Sequence, residues 1–359
     1  MFFSFLLRLQ QNRDNHRILP LLVLSAIFFA LPLSADAAQA KAADLIRDKQ
    51  VVNLQQEKFQ NLFSELAEQY QFSSRELYSI FRGQVLKKRV LELMDSQWEA
   101  KPYYKYYPLF ITPKIIRTGR EKLRRYKMLL DRIEQQFGVD RETIIAIWAM
   151  ETRFGTYLGG FNVLQTLSTL FDAYPRRSNF FRGQLIDFLI LCRENHINPR
   201  SVEGSYAGAF GQTQFIPSSF RQYAVSFDGD NLRDVWKSVP DVLASIANYL
   251  KQFHWTLHAP VYAEIGNTLN DERLVTALQQ GRKGRVSRQI VGDAQQVSLP
   301  PSPEGRPLSI VALELDPKKS KDRFRYIAAY PNFQAITQWN HSNRYAMAVT
   351  ELAQDLKEK

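Results

Sequence analysis

Between Asp140 and Gly155 the chain reads Asp-Arg-Glu-Thr-Ile-Ile-Ala-Ile-Trp-Ala-Met-Glu-Thr-Arg-Phe-Gly. An apolar run of this length, with Asp140 placed as N-cap and Gly155 as stop, has to form a helix inside a core. Ile144, Ile147, Trp148 and Glu151 fall at i, i+3, i+4 and i+7, which puts a carboxylate on the apolar face. Burial penalises the charged form, so Glu151 is expected to hold a proton near neutral pH, as a general acid must. A partly exposed Glu in an ordinary ion pair at a helix end is the alternative reading.

A second segment favours the first reading. Gly204-Ser205-Tyr206-Ala207-Gly208-Ala209-Phe210-Gly211-Gln212-Thr213-Gln214-Phe215-Ile216-Pro217-Ser218-Ser219-Phe220 is rich in small residues and amides. Gly204, Gly208 and Gly211 permit close backbone approach to a ligand. Ser205, Gln212 and Gln214 supply neutral donors and acceptors suited to sugar hydroxyls and acetamido groups. A tight helix-packing loop would also use this glycine spacing.

Five motifs in order carry a family resemblance. They are Met150-Glu151-Thr152-Arg153-Phe154-Gly155, Tyr174-Pro175-Arg176-Arg177, the Gly204–Phe220 segment, Ala247-Asn248-Tyr249, and Asn340-His341-Ser342-Asn343-Arg344-Tyr345-Ala346-Met347-Ala348-Val349. Together they resemble the membrane-bound lytic murein transglycosylase B family, from about Val90 onward. Val90–Asp95 and Lys101-Pro102-Tyr103-Tyr104 also resemble its N-terminal helical region. The resemblance implies cleavage of peptidoglycan between N-acetylmuramic acid and N-acetylglucosamine, with one Glu as acid and then base and a 1,6-anhydro end as product. Most glycosidases use two carboxylates, so this is a departure from their scheme. The match implies Glu151 as catalytic residue and Arg176, Arg177, Ser205, Gln214, Tyr249, Asn340 and Tyr345 as substrate contacts. Some relatives have Tyr where this chain has Trp339, which keeps an aromatic platform and loses a hydroxyl. Tyr249 also reads as a core aromatic of the helix Val242–Lys251. Some relatives carry a calcium loop near Asp228-Gly229-Asp230-Asn231. Here the alternating positions are Ser226, Asp228, Asp230 and Leu232, and Asp241 lies one residue too far to be the late acid, so no metal and no cofactor is expected.

The first 40 residues read as an export signal. Arg8, Arg13 and Arg17 precede the apolar run Ile18–Leu33, and Ala35-Asp36-Ala37 or Ala38-Gln39-Ala40 offers a cleavage site. Pro20 and Pro32 interrupt the run, which is shorter than the roughly 20 residues of a spanning helix. No cysteine stands there for a lipid, so a periplasmic protein without a stable membrane span or lipid anchor is expected. An uncleaved anchor is the alternative.

The net charge is +11, and +10 without residues 1–40, which hold three Arg and two Asp. A basic protein attracts polyanions. No nucleic-acid module is visible, and the carboxylates of peptidoglycan fit the export signal better than nucleic acid does. Cell-wall synthesis machinery is a further partner class, and a monomer is expected. Cys192 is the sole cysteine, set in Phe188-Leu189-Ile190-Leu191, and reads as a small buried hydrophobe.

Residues 41–137 read as an N-terminal helical region, with Leu62, Leu66 and Tyr70 on one face and a helix start at Ser73-Ser74-Arg75-Glu76. Within it, 114–137 reads as one basic amphipathic helix whose Arg and Lys side chains form a solvated outer face. Residues 138–255 hold nearly all the chemistry. From 256 to 335 the texture turns β-rich, with Val261–Ile265, Val286–Val291, Val297–Leu299, Ile310–Leu315 and Phe324–Ala329 as candidate strands. Residues 336–359 return to a helix, Ser342–Lys357, which brings Asn340 and Tyr345 back to the cleft. The fold class is α+β, mainly α: a lysozyme-like helical core, a helical N-terminal region and a small β-rich insertion. A water-using hydrolase would need a second carboxylate, for which Asp228, Asp230, Asp234 and Glu203 are candidates. A non-catalytic glycan-binding scaffold is the other class of alternative.

Overall fold

The structure, a computed structural model, describes residues 41–95 and 101–357; the segment read as an export signal lies outside them. In chain order the elements are α1 (Glu57–Tyr70), α2 (Ser74–Phe81), α3 (Lys88–Asp95), the single turn α4 (Tyr103–Tyr106), α5 (Pro113–Arg125), α6 (Lys127–Phe137) and α7 (Arg141–Thr152). Then come β1 (Phe161–Asn162), α8 (Val163–Ala173), α9 (Ser178–Glu194), β2 (Glu203–Gly204), α10 (Pro217–Tyr223) and α11 (Val239–Gln252). A second group follows: β3 (Tyr262–Gly266), α12 (Glu272–Gln279), α13 (Arg288–Gln295), β4 (Ser309–Glu314) and β5 (Phe324–Ala329). The chain closes with α14 (Pro331–Trp339) and α15 (Asn343–Leu356).

The main core is built around α7, which packs against α5, α6, α11 and α15. Every residue from Thr143 to Thr152 is buried. The helix is therefore apolar on all sides rather than amphipathic, which is the pattern of a helix enclosed by others. A second, smaller core collects Ile265, Leu274, Val291, Ile310, Ala328 and Tyr330 around the three-stranded sheet. That sheet has the order β3-β5-β4, antiparallel throughout.

Three expectations on secondary structure fail. The segment 114–137 is two helices rather than one. Tyr126 leaves the helical region at φ −103°, ψ 19°, ending α5 and starting α6. Its ring packs toward Trp148 of α7, 6.2 Å between centroids, so tertiary packing sets the break. The segment Val286–Val291 is not a strand. Only Val286 bridges to Leu308, and Ser287 then caps α13 by accepting a hydrogen bond from the Ile290 amide. Val297–Leu299 likewise forms no strand. The β-branched residues face the small core from a helix, where burial outweighs propensity.

Ion pairs join the last helix to the sheet and to the N-terminal region. Arg344 pairs with Glu314 of β4, and Arg325 of β5 pairs with Glu351 of α15. Tyr103 of α4 donates its hydroxyl to Glu351 (2.5 Å) and its amide to Glu314 (3.0 Å). These contacts tie α15 to the sheet and to α4.

Candidate active site

Glu151 lies in the last turn of α7, 5% exposed. One carboxylate oxygen, Oε1, accepts hydrogen bonds from Trp339 Nε1 (2.8 Å) and from the Tyr345 hydroxyl (2.5 Å). The other, Oε2, is buried with no partner among the described residues. Burial pushes the carboxyl up to about 8, and the two donors pull it back only in part. Neutral Glu151 is thus the dominant form at pH 7. Among the described residues no salt bridge to Glu151 is formed, so the ordinary ion pair set against this reading is not made by them.

The ends of α7 differ from the sequence expectation. Asp140 occupies the N-cap position without capping through its side chain. Its carboxylate instead accepts from Trp255 Nε1 (2.8 Å) and sits beside His258 Nδ1 (3.0 Å), tying α7 to the start of the β-rich segment. At the other end Gly155 is not the stop. The helix closes at Thr152, and Arg153, Phe154 and Gly155 all take left-handed φ values of 49°, 61° and 81°. Gly155 is needed for another reason: a Cβ there would stand 2.3 Å from Gln212 Oε1.

That contact also redefines Gln212, which the amide count offered to sugars. Its Oε1 accepts from Trp148 Nε1 (2.9 Å), its Nε2 donates to Trp236 O (2.8 Å), and its carbonyl takes the Thr152 hydroxyl (3.1 Å). All these groups are spent on fixing α7 to the loop. Gln214 lies in the left-handed region (φ 49°) and donates from Nε2 to Leu158 O (3.0 Å) and Gly211 O (2.9 Å). Its Oε1 makes no hydrogen bond among the described residues. Ser205 Oγ accepts from the Ala207 and Ala209 amides (3.3 and 3.1 Å), which orients its hydroxyl hydrogen outward.

The remaining candidates sit at two depths. Arg176 and Arg177 occupy the turn Pro175–Arg177 after α8. Arg176 is half exposed and 3.9 Å from Asp95 Oδ1. Arg177 lies over Phe180, 4.5 Å to the centroid, and burial lowers its guanidinium to about 10. Asn340 follows α14 directly, and its buried Oδ1 has no partner among the described residues. Tyr249, in contrast, is a core aromatic, 2% exposed, whose hydroxyl donates to Gln338 O (2.7 Å). Trp339 is packed between Phe215 and Tyr249, at 5.0 and 4.7 Å, and 8% exposed, which leaves little ring face for a sugar.

Sequence reasoning passed over Tyr103 as a support of the site: its hydroxyl donates to Glu351 (2.5 Å) on α15, the helix that carries Tyr345. The only signal was the aromatic run Tyr103-Tyr104-Lys105-Tyr106-Tyr107. None of Asp228, Asp230, Asp234 or Glu203 hydrogen-bonds to Glu151 or to its two donors. Cys192 is buried, and burial pushes its thiol up to about 12, so it is no nucleophile at neutral pH.

Known proteins resemble this chain in sequence and fold. The transglycosylase SLT domain family matches residues 55–354. The chain belongs to this family. The membrane-bound lytic murein transglycosylase B of Escherichia coli (strain K12) is 34% identical over 310 residues, covering 82% of this chain and 81% of that protein. The Escherichia coli lytic transglycosylase Slt35 in complex with bulgecin A superposes with a TM-score of 0.74 at 31% identity, covering 89% of this chain and 98% of that one. SltB3 from Pseudomonas aeruginosa, in complex with NAG-anhNAM-pentapeptide, superposes with a TM-score of 0.69 at 30% identity, covering 84% and 79%.

The acidic loop from Asp228 to Asp241 has carboxylates engaged within the chain itself. Asp241 is fully buried, and its two oxygens accept from the Phe227 amide (2.7 Å) and the Asp234 amide (2.9 Å). Asp228 Oδ2 takes the Ser238 hydroxyl (2.6 Å), and Asp230 Oδ1 takes the Leu232 amide (2.8 Å). These backbone and hydroxyl hydrogens compete with a cation for the carboxylate oxygens. Thermal melts with calcium and with a chelator should therefore coincide. Calcium at a hundred times its dissociation constant would add about 2.7 kcal/mol, so a rise of several degrees would overturn this reading.

Proposed function

We propose that this transglycosylase cleaves the bond between N-acetylmuramic acid and N-acetylglucosamine in peptidoglycan glycan strands, with Glu151 as the only acid–base group. The observation that carries the proposal is the asymmetry of one buried carboxyl. Oε1 is held by two donors, and Oε2 is free. Neutral Glu151 donates its proton to the glycosidic oxygen as the bond breaks. The substrate's own acetamido group supports the anomeric carbon. The resulting carboxylate keeps the hydrogens of Trp339 and Tyr345, which stabilise its charge. It then takes the proton of the sugar's 6-hydroxyl as that oxygen closes on the anomeric carbon. The product is a 1,6-anhydro end, and no water is consumed.

Ser205, Gln214 and Asn340 are assigned to the sugar hydroxyls and acetamido groups, because each keeps an unused polar atom. Arg176 and Arg177 are assigned to substrate carboxylates, which guanidinium groups recognise well. Residues 1–40 read as an export signal, and among the described residues no helix is long and apolar enough to cross a membrane. The substrate is thus met in the periplasm.

Digestion of purified sacculi in heavy-oxygen water tests the chemistry. Mass spectrometry should find anhydro ends carrying no label. Labelled reducing ends would establish a water-using hydrolase, and an absence of cleavage would leave a glycan-binding scaffold.

A further inference from the structure

We propose that Trp339 is a positioning residue that fixes which oxygen of Glu151 carries the transferable proton. The argument starts from what each partner is able to do. A phenol both donates and accepts, so Tyr345 by itself is compatible with a proton on either carboxyl oxygen. An indole N–H only donates. Trp339 Nε1 stands 2.8 Å from Oε1, which also takes the Tyr345 hydroxyl at 2.5 Å. A proton on Oε1 would face two hydrogens already there. It therefore resides on Oε2, the oxygen with no partner among the described residues.

The indole is held firmly enough to enforce this. Its ring is wedged between Phe215 and Tyr249, 5.0 and 4.7 Å between centroids. Tyr249 donates its hydroxyl to the carbonyl of Gln338, the residue immediately before Trp339. The ring is locked from its face and from its own backbone. With only 8% of the residue exposed, its N–H edge serves the carboxyl rather than a sugar. The same hydrogen bond supports the anion left on Oε1 after proton transfer. Trp339 thus directs the proton in the acid step and holds the charge before the base step. This inference rests on Glu151 being the acid.

Trp339→Phe removes the donor and keeps most of the packing. A hydrogen bond to a charged group of this kind carries roughly a tenfold effect or more. The expected result is a fall in kcat of about that size with KM changed less than about twofold. The alkaline limb of the pH–rate profile should move to higher pH, because the anion has lost a stabilising donor. Trp339→Tyr, which donates and also accepts, should fall between. A rise in KM at unchanged kcat would overturn the proposal in favour of a sugar platform. So would an alkaline limb that stays put or moves down. In the unmodified protein, the Trp339 indole proton resonance should shift downfield with the midpoint of the activity limb, and a flat response would also overturn the proposal. An active Glu151→Gln variant would sink the acid assignment itself, whereas an inactive one with an unmoved Trp339→Phe profile would sink this inference alone.

Discussion

Glu151→Gln is expected to lose roughly 100- to 10,000-fold of its activity on sacculi, the span that general acid catalysis covers. The amide keeps the shape of the side chain and can still accept from Trp339 and Tyr345, but it has no proton to give. The same variant is expected to be more stable than the parent at neutral pH. In the folded chain the carboxyl sits at about 8, raised from its ordinary 4.5 by burial. Below pH 4.5 both folded and unfolded chains hold the proton, and the parent has no penalty. As pH rises from 4.5 toward 8 the unfolded chain releases the proton that the folded chain keeps, so the parent loses stability through this window. At pH 7 the loss is about 3 kcal/mol. Gln does not titrate and escapes it. Melting curves of the two proteins should diverge as pH is raised from 4.5 to 7.5, with the variant several degrees higher at the upper end. A constant difference across pH would show that Glu151 is not neutral in the fold, and retained lysis would move the acid elsewhere.

Gly159→Ala is expected to damage both stability and activity without touching a catalytic atom. Gly159 has φ +98°, and a Cβ there would lie 2.1 Å from the carbonyl oxygen of Gly204. The obstacle is backbone, which cannot rotate away. Strain and overpacking together cost about 2–5 kcal/mol. Relief would come by moving Gly204 and Ser205 outward, or by pulling Leu158 from Gln214, whose Nε2 bonds its carbonyl at 3.0 Å. Either movement displaces a polar side chain assigned to the substrate, Ser205 in the first case and Gln214 in the second. Gly160 is the control, because a Cβ there meets nothing within 4 Å. Gly160→Ala should melt within a degree or two of the parent. Equal behaviour of the two variants would show that the turn between β1 and the catalytic helix has no role in holding Ser205.

The helix around Glu151 was legible because its signal is local. An apolar run with one carboxylate implies burial, and burial implies a raised acid, whatever surrounds it. The short motifs near Arg176, Ser205, Gln214, Asn340 and Tyr345 were legible through family resemblance. What local pattern could not supply was partnership. Nothing in the spacing of Gln212 and Gln214 reveals that one amide is consumed by Trp148 and Trp236 while the other keeps an oxygen free. Nothing near Trp339 reveals that its N–H, rather than its ring face, meets the site, since the two residues are 188 positions apart. The break at Tyr126 and the helix at Arg288–Gln295 were misjudged because periodicity and propensity are weak beside a neighbouring core.

The sequence by itself therefore determined a buried, neutral carboxyl on a core helix and the mainly helical class. Only the tertiary structure decided how that carboxyl is divided. By bringing α14 and α15 back over the end of α7, it turned one oxygen toward two donors and left the other with no partner among the described residues. Hydrogen-bond direction depends on atoms brought within 3 Å across the whole fold, and no local pattern of residues encodes that distance.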